Sequence, residues 1–221
     1  MFCFIFFKKL KTKALRVFFV YSITIAILLI LSISSTIFFK NGYVYMILLR
    51  VYIIVEYYIL SRFLILLINN LVFKRIIQYS LIPFFVFTLI TYYYSSVLTF
   101  NRFSLVVEFI LLLGFIILYF YEKIKTVTNY PLSQLISFWI CVGFFIYFAG
   151  NFFFLLLLNF SSNKEVAFQL QIVYSIVTIT KNIILCLALF ANEPTENIEE
   201  LRIPDELNLD EFTPTNPKTL Q

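Results

Sequence analysis

Six apolar runs, each close to or above about 20 residues, constrain the fold of this chain more than any other feature of its sequence. A run of that length is what an α-helix needs to cross a bilayer, whereas barrel strands need about ten alternating residues. Because 62% of the 221 residues are apolar and only 13% are charged, a soluble domain could not cover so much apolar surface. The sequence therefore predicts an all-α, polytopic transmembrane helix bundle.

Three regions follow from the change of composition along the chain. Residues 1–16 form a basic N-terminal segment, residues 17–191 carry the six spans, and residues 192–221 form an acidic tail. The predicted spans are 17–39, 44–68, 76–98, 103–121, 132–158 and 166–191. Pro131 is expected to open the fifth span, at a position where its missing amide is harmless.

The orientation follows from the lysines and arginines of the short connections, which are enriched on the cytoplasmic side of membrane proteins. Nine flank the ends assigned to the cytoplasm, against three on the opposite side. This asymmetry predicts an inner-membrane protein with both termini in the cytoplasm. The same bias accounts for the net positive charge, so we do not expect a nucleic-acid partner.

The first seven residues, MFCFIFF, are apolar but too few to cross a bilayer. Two interpretations remain open. Either they lie in the membrane interface beside the basic cluster, or they are the end of an additional first helix, in which case the parent architecture has seven helices.

The tail combines eight acidic residues with only Arg202 and Lys218, and it holds four of the six prolines. A segment of this composition is expected to be disordered alone. It also contains spaced leucine and isoleucine residues. The tail is therefore interpreted either as a solubilising segment or as a linear motif that orders on a cytoplasmic protein partner.

The chain contains no histidine, which removes imidazole metal ligands and the histidine-based catalytic arrangements. Its cysteines, Cys3, Cys141 and Cys186, have no CxxC spacing and are interpreted as packing residues. We therefore expect no metal, no cofactor and no enzymatic activity.

Glu56 is a costly intramembrane residue, because it cannot reach either interface, whereas Arg50 and Arg62 of the same span can. The sixth span offers a partner: Gln171, Ser175, Thr178 and Asn182 share one stripe, with Lys181 at its edge and at the depth of Glu56. This stripe is expected to face the bundle interior. We predict a Glu56–Lys181 ion pair beside Asn182, which either fixes helix register or lines a ligand, ion or proton site.

A second polar cluster is expected in the outer half of the bundle. Arg50, Glu108, Asn151 and Gln171 come from four different spans and project outward of the midplane. Together they are interpreted as a polar pocket open to the outside. Gly143 and Gly150 share a stripe beside Asn151, where small residues let another helix approach closely.

The chain resembles a group of uncharacterised bacterial seven-helix membrane proteins with a plan like that of sensor receptors. The matching stretches are VEYYIL around Glu56, SFWICVGFFIYFAGN ending at Asn151, and KNIILCLALF beginning at Lys181. This chain departs from them by lacking the first helix. The resemblance implies a seven-helix bundle and a sensing role, and it supplies no ligand.

Three functional classes remain after these exclusions. The first is a non-enzymatic sensor or scaffold that acts through the acidic tail. The second is a small transporter or channel that uses Glu56 and Lys181, which would need to form a homo-oligomer. The third is a retinal-binding protein, since a lysine in the last helix and an earlier acid are what a Schiff base requires.

Overall fold

Six long helices account for nearly all of the structure, a computed structural model that describes residues 12–38, 42–95, 102–126, 131–160, 164–188 and 190–191. The helices, numbered here α1 to α6, are Lys13–Phe38, Gly42–Leu67, Leu71–Tyr94, Arg102–Lys125, Ile136–Phe160 and Lys164–Ala188. Each has the length and apolar composition needed to cross a membrane. The described residues contain no strand. The prediction of an all-α transmembrane bundle is confirmed.

The ends of the helices differ from the predicted spans by a few residues, for local reasons. α1 begins at Lys13, inside the segment predicted to be a separate basic region. Before α5, Pro131 is followed by a short 3₁₀ turn, Leu132–Gln134, so α5 begins only at Ile136. The apolar segment 1–7 and the acidic tail 192–221 lie outside the described residues, so the predictions made for them stay predictions.

The connection between α2 and α3 is fixed by side-chain capping. Asn70 precedes α3, and its side-chain oxygen accepts a 2.8 Å hydrogen bond from the amide of Val72. The Glu122 carboxylate, near the end of α4, accepts hydrogen bonds from the backbone amides of Asn69, at 2.6 Å, and Asn70, at 3.0 Å. These groups would otherwise lack partners at a helix start. The bonds therefore hold the end of α2 at the level of the last turn of α4.

The most buried helices of the bundle are α2, α4 and α5. α2 packs against α1, α3 and α4, and α4 packs in turn against α5. Aromatic rings join α1 to α5, since the ring centroids of Tyr21 and Phe144 are 5.5 Å apart and those of Phe18 and Phe144 are 6.1 Å apart. α6 packs chiefly along α5 and is the least buried of the six helices.

The outer surface of the bundle is apolar, as a lipid-facing surface must be. Isoleucine, leucine and phenylalanine side chains on every helix are exposed, among them Ile30, Ile82, Ile117 and Phe153. The interior is packed with aromatic and branched side chains, including Tyr57, Phe63, Leu112, Tyr119 and Phe148. Polar side chains inside this core are exceptions, and they define the site described next.

Candidate intramembrane polar site

Glu56 lies in the interior of the bundle, with only 1% of its surface exposed. Its Oε1 accepts a 2.8 Å hydrogen bond from the Tyr21 hydroxyl on α1. The hydroxyl of Tyr52, one turn earlier on α2, lies beside both the Glu56 carboxylate and the Tyr147 hydroxyl on α5. Hydrogen bonds to a carboxylate are among the stronger ones in proteins. Glu56 is therefore held by tyrosines, a role that the sequence reasoning had assigned to α6.

Lys181 reaches this site from α6 without touching Glu56. Its Nζ lies 4.1 Å from the ring centroid of Tyr147 and 5.9 Å from that of Phe144. The ammonium charge interacts with Glu56 through space. Both residues are described by the structure, and no Glu56 oxygen lies within 4 Å of Lys181 Nζ. In place of the predicted direct ion pair, the structure has a cation over a tyrosine face, an arrangement that is stabilising at this range. We call Tyr21, Tyr52, Glu56, Tyr147 and Lys181 the Glu56 cluster.

The polar stripe of α6 does not face the interior, and this prediction is wrong for the single chain. Gln171, Ser175 and Asn182 are exposed. α6 instead turns Val177, Ile184 and Leu185 towards α5, against the two glycines of that helix. Close packing at those glycines sets the rotation of α6. Asn182 is thus separated from Glu56, although it neighbours Lys181 in the sequence.

The predicted outer pocket is only partly assembled, because its four residues divide into two groups. Glu108 and Asn151 are buried on the inner faces of α4 and α5, with 0% and 1% exposure. Gln171 lies on the exposed surface of α6 and does not join them. Arg50 turns towards α3, where it donates to the Ser95 hydroxyl at 3.0 Å and lies 4.8 Å from the ring centroid of Tyr92. The expectation that Arg50 and Gln171 complete the pocket is corrected accordingly.

Glu108 and Asn151 share an unusual property. Neither oxygen of Glu108 and neither polar atom of the Asn151 side chain has a hydrogen-bond partner within the described ranges. The hydroxyl of Thr88 on α3 is likewise buried and unpartnered. Buried polar groups are almost always paired, and an unpaired one costs free energy. Because these unpaired oxygens lie inside the same helix bundle, Glu108, Asn151 and Thr88 are candidates for a functional site.

The two carboxylates lie at the same depth. α2 and α4 run in the same direction, and Leu60 of α2 and Leu112 of α4, which are 52 residues apart, line one small cavity. Glu56 and Glu108 are separated by the same offset, and each faces the core. The cavity begins one helical turn beyond the carboxylates along α2 and α4, and it is apolar. It is lined by Leu60, Phe63, Leu64, Leu112, Ile116, Cys141, Phe144 and Phe148.

Comparison with protein families, curated proteins and solved structures gives no match to this chain. The likeness to seven-helix sensor-type proteins therefore stays a prediction based on the quoted stretches. The tyrosines of the Glu56 cluster were missed because 15 tyrosines and 29 phenylalanines occur along the chain, so aromatic residues alone carried no signal. The spacing of Tyr52 and Glu56, four residues apart on one helical face, was the available clue.

Proposed function

We propose that this chain is a non-enzymatic, receptor-like membrane protein in which the Glu56 cluster is the sensing element and α6 is the output element. One contact supports the proposal above all others. Lys181, on the least buried helix, lies 4.1 Å from the ring centroid of Tyr147, which belongs to the hydrogen-bonded surroundings of Glu56. A change at Glu56 thus acts, through Tyr147 and through space, on the helix that leads to the acidic segment 192–221.

The physical coupling has a useful size. A cation over an aromatic ring contributes about 0.5 kcal/mol when exposed and about 2 kcal/mol when desolvated. Lys181 also interacts electrostatically with Glu56. Protonation or deprotonation of that carboxylate therefore changes how strongly α6 is held against the rest of the bundle. A differential interaction of about 1.4 kcal/mol, which lies within this cation–π range, shifts the populations of two α6 positions by about tenfold.

A non-enzymatic role fits the burial of the acidic groups. Glu56 and Glu108 are 1% and 0% exposed, so a substrate cannot reach either carboxylate without rearrangement of the helices. Catalysis would require a reacting group within hydrogen-bond reach of these side chains. A sensor needs only that the state of the interior changes the position of an outer helix.

The positive-inside bias supports an inner-membrane location with both termini in the cytoplasm, where the acidic tail meets a protein partner. We also propose that the chain forms a homo-oligomer through the exposed polar stripe of α6. Gln171 and Asn182 carry amides that both donate and accept, so this face can pair with its own copy across a two-fold axis. Amides facing hydrocarbon are costly, and interhelical hydrogen bonds relieve that cost.

The oligomer is tested by measuring the mass of the full chain in detergent by light scattering. Gln171→Leu with Asn182→Leu is expected to shift the protein from dimer to monomer. Gln78→Leu is the matched control, because it removes an exposed amide from α3 and leaves α6 intact. A monomeric wild type, or a double variant that dimerises as well as the wild type, would contradict the assignment of this face.

The sensing role is tested by the position of α6 in lipid nanodiscs. Spin labels at Ile124 on α4 and Leu187 on α6, both exposed, report the distance between these helices by electron paramagnetic resonance. Lys181→Met is expected to shift or broaden the distance distribution. Lys123→Met is the matched control, because Lys123 Nζ lies 5.8 Å from the ring centroid of Tyr119, on α4 itself. Identical distributions in wild type and Lys181→Met would reject α6 as the output element.

The rival classes give different results in the same preparations. A transporter or channel using Glu56 and Lys181 predicts ion flux in proteoliposomes that Glu56→Gln abolishes, whereas the sensor predicts no flux. A retinal-binding protein predicts a visible absorbance band when retinal is added, and this band would be lost in Lys181→Met.

A further inference from the structure

We propose that Glu108, Asn151 and Thr88 form an interior binding site for one alkali cation, at the depth of Glu56. The inference concerns ion binding and does not depend on the signalling role of α6. It begins with the neighbours of Glu108, which is completely buried and whose two oxygens have no partner among the described residues. Two neighbouring helices, α3 and α5, present unpartnered polar groups at its level.

The position of Thr88 follows from the pairing of α3 and α4. These consecutive helices are antiparallel, and the hydroxyls of Thr91 and Ser104 are 2.9 Å apart. One turn back from Thr91 is Thr88, and one turn on from Ser104 is Glu108. The two residues therefore lie opposite each other. The Thr88 hydroxyl is 0% exposed and unpartnered, so it contributes a free oxygen at this level.

Asn151 approaches Glu108 from α5. The ring centroids of Phe109 and Phe148 are 5.4 Å apart, which fixes the level of these antiparallel helices. Asn151 is one turn beyond Phe148 on the same buried face. Helical side chains tilt towards the N-terminus of their own helix, so Glu108 and Asn151 tilt towards each other. The amide oxygen of Asn151 thus adds a further unpaired ligand.

The ligand set selects the chemistry of the bound species. It consists of carboxylate, amide and hydroxyl oxygens, which are the hard ligands preferred by alkali and alkaline-earth cations. The single carboxylate of this ligand set selects a monovalent ion. Of the three side chains only the Glu108 carboxylate carries a charge, so one monovalent cation leaves the site neutral inside the membrane. An uncompensated charge at this depth is strongly unfavourable.

The remaining charged and titratable neighbours are already engaged. Glu56 accepts from Tyr21, and Arg50 donates to Ser95 and lies over Tyr92. Tyr147 lies beneath Lys181. A sodium or potassium ion at Glu108 would satisfy the free oxygens of the three helices together, which neither Tyr147 nor Arg50 does.

The test is the thermal unfolding of the purified full chain in detergent, with sodium, potassium or choline as the only cation at matched ionic strength. An ion that binds only the folded state raises the melting temperature as its concentration rises. We expect a saturable increase with sodium or potassium over choline. The increase is expected to disappear in Glu108→Gln and to weaken in Thr88→Val.

Glu122→Gln is the matched control, because it alters a carboxylate at the end of α4 and leaves the interior unchanged. It is expected to keep the full cation response. The wild-type titration decides the question even if Glu108→Gln fails to fold. A melting temperature that is the same in all three cations would overturn the proposal, and a dependence on pH alone would assign the balancing charge to a proton.

Discussion

Replacing Gly150 by alanine tests the close approach of α5 and α6. A Cβ atom at this position would lie 2.6 Å from Cγ2, 2.8 Å from Cγ1 and 3.3 Å from Cβ of Val177. Carbon atoms in contact are ordinarily about 3.5–4.0 Å apart. Valine is β-branched and has one strongly preferred rotamer in a helix, so it cannot swing away at low cost. The two helices must therefore separate by several tenths of an ångström or more.

The expected size of the effect combines two opposing contributions. Overpacking a well-packed contact costs about 1–3 kcal/mol, and the overlap with three atoms of one side chain favours the upper half of that range. Alanine gains about 1 kcal/mol over glycine in a helix interior. We expect Gly150→Ala to lower the free energy of unfolding by about 1–2 kcal/mol. The displacement also moves Lys181 away from Tyr147, so the distance between α4 and α6 should change with it.

Gly143 provides the matched control on the same face of α5. A Cβ atom there would lie 3.5 Å from both Ile184 Cγ2 and Leu185 Cδ2, which is ordinary contact. Gly143→Ala should therefore be neutral or should stabilise the protein by up to about 1 kcal/mol. Combining Gly150→Ala with Val177→Ala removes the two shortest contacts, those with Cγ1 and Cγ2, and should restore most of the loss.

The assay is chemical unfolding of the full chain in mixed micelles, followed by helicity and by the fluorescence of Trp139. Equal stability of Gly150→Ala and Gly143→Ala would refute the reasoning, because it would show that α6 does not press Val177 against Gly150. Failure of Val177→Ala to rescue the Gly150→Ala variant would refute it as well.

Two further predictions concern single hydrogen bonds and the ends of helices. Tyr21→Phe removes the 2.8 Å hydrogen bond to Glu56 and should lower the free energy of unfolding by about 1–3 kcal/mol. Tyr57→Phe is the control: it loses a hydrogen bond between two neutral groups, Tyr57 and Ser80, and should cost about 0.6 kcal/mol. Equal losses would contradict the special position of Glu56. Glu122→Ala removes the carboxylate that accepts hydrogen bonds from the amides of Asn69 and Asn70. Amide hydrogen exchange in the α2–α3 connection should therefore become faster, while the centre of α4 stays protected. Unchanged exchange in that connection would contradict the capping role.

The spans were predictable because length and apolar composition suffice to define a membrane helix. The burial of Glu56 was equally open to sequence reasoning, since a carboxylate at mid-bilayer must avoid lipid. The rotation of α6 was not. The polar stripe of α6 was expected to face inward, yet Val177, Ile184 and Leu185 pack against Gly150 and Gly143 of α5. Inside a membrane there is no water to favour burial of the apolar face, so close packing determines the rotation of the helix.

The partners of Glu56 were mispredicted for a related reason. Lys181 was predicted to pair with Glu56 because the two lie at similar depths, but depth does not determine contact, and the structure places Lys181 over the ring of Tyr147. Tyr21 and Tyr147 come from helices far apart in the chain, so only the assembled bundle could bring them to the surroundings of Glu56. The level pairing of Glu56 with Glu108 likewise depends on α2 and α4 being neighbours.

The central claim is that the faces of α2 and α4 carrying the two carboxylates meet inside the bundle. Its most direct test is cross-linking in membranes, in a chain whose native cysteines are replaced. Leu60→Cys with Leu112→Cys, each one turn beyond its carboxylate, should be joined by a short bifunctional thiol reagent. Tyr58→Cys with Leu112→Cys should not be, because Tyr58 is 54% exposed on the opposite face. Efficient cross-linking from Tyr58→Cys but not from Leu60→Cys would contradict the account.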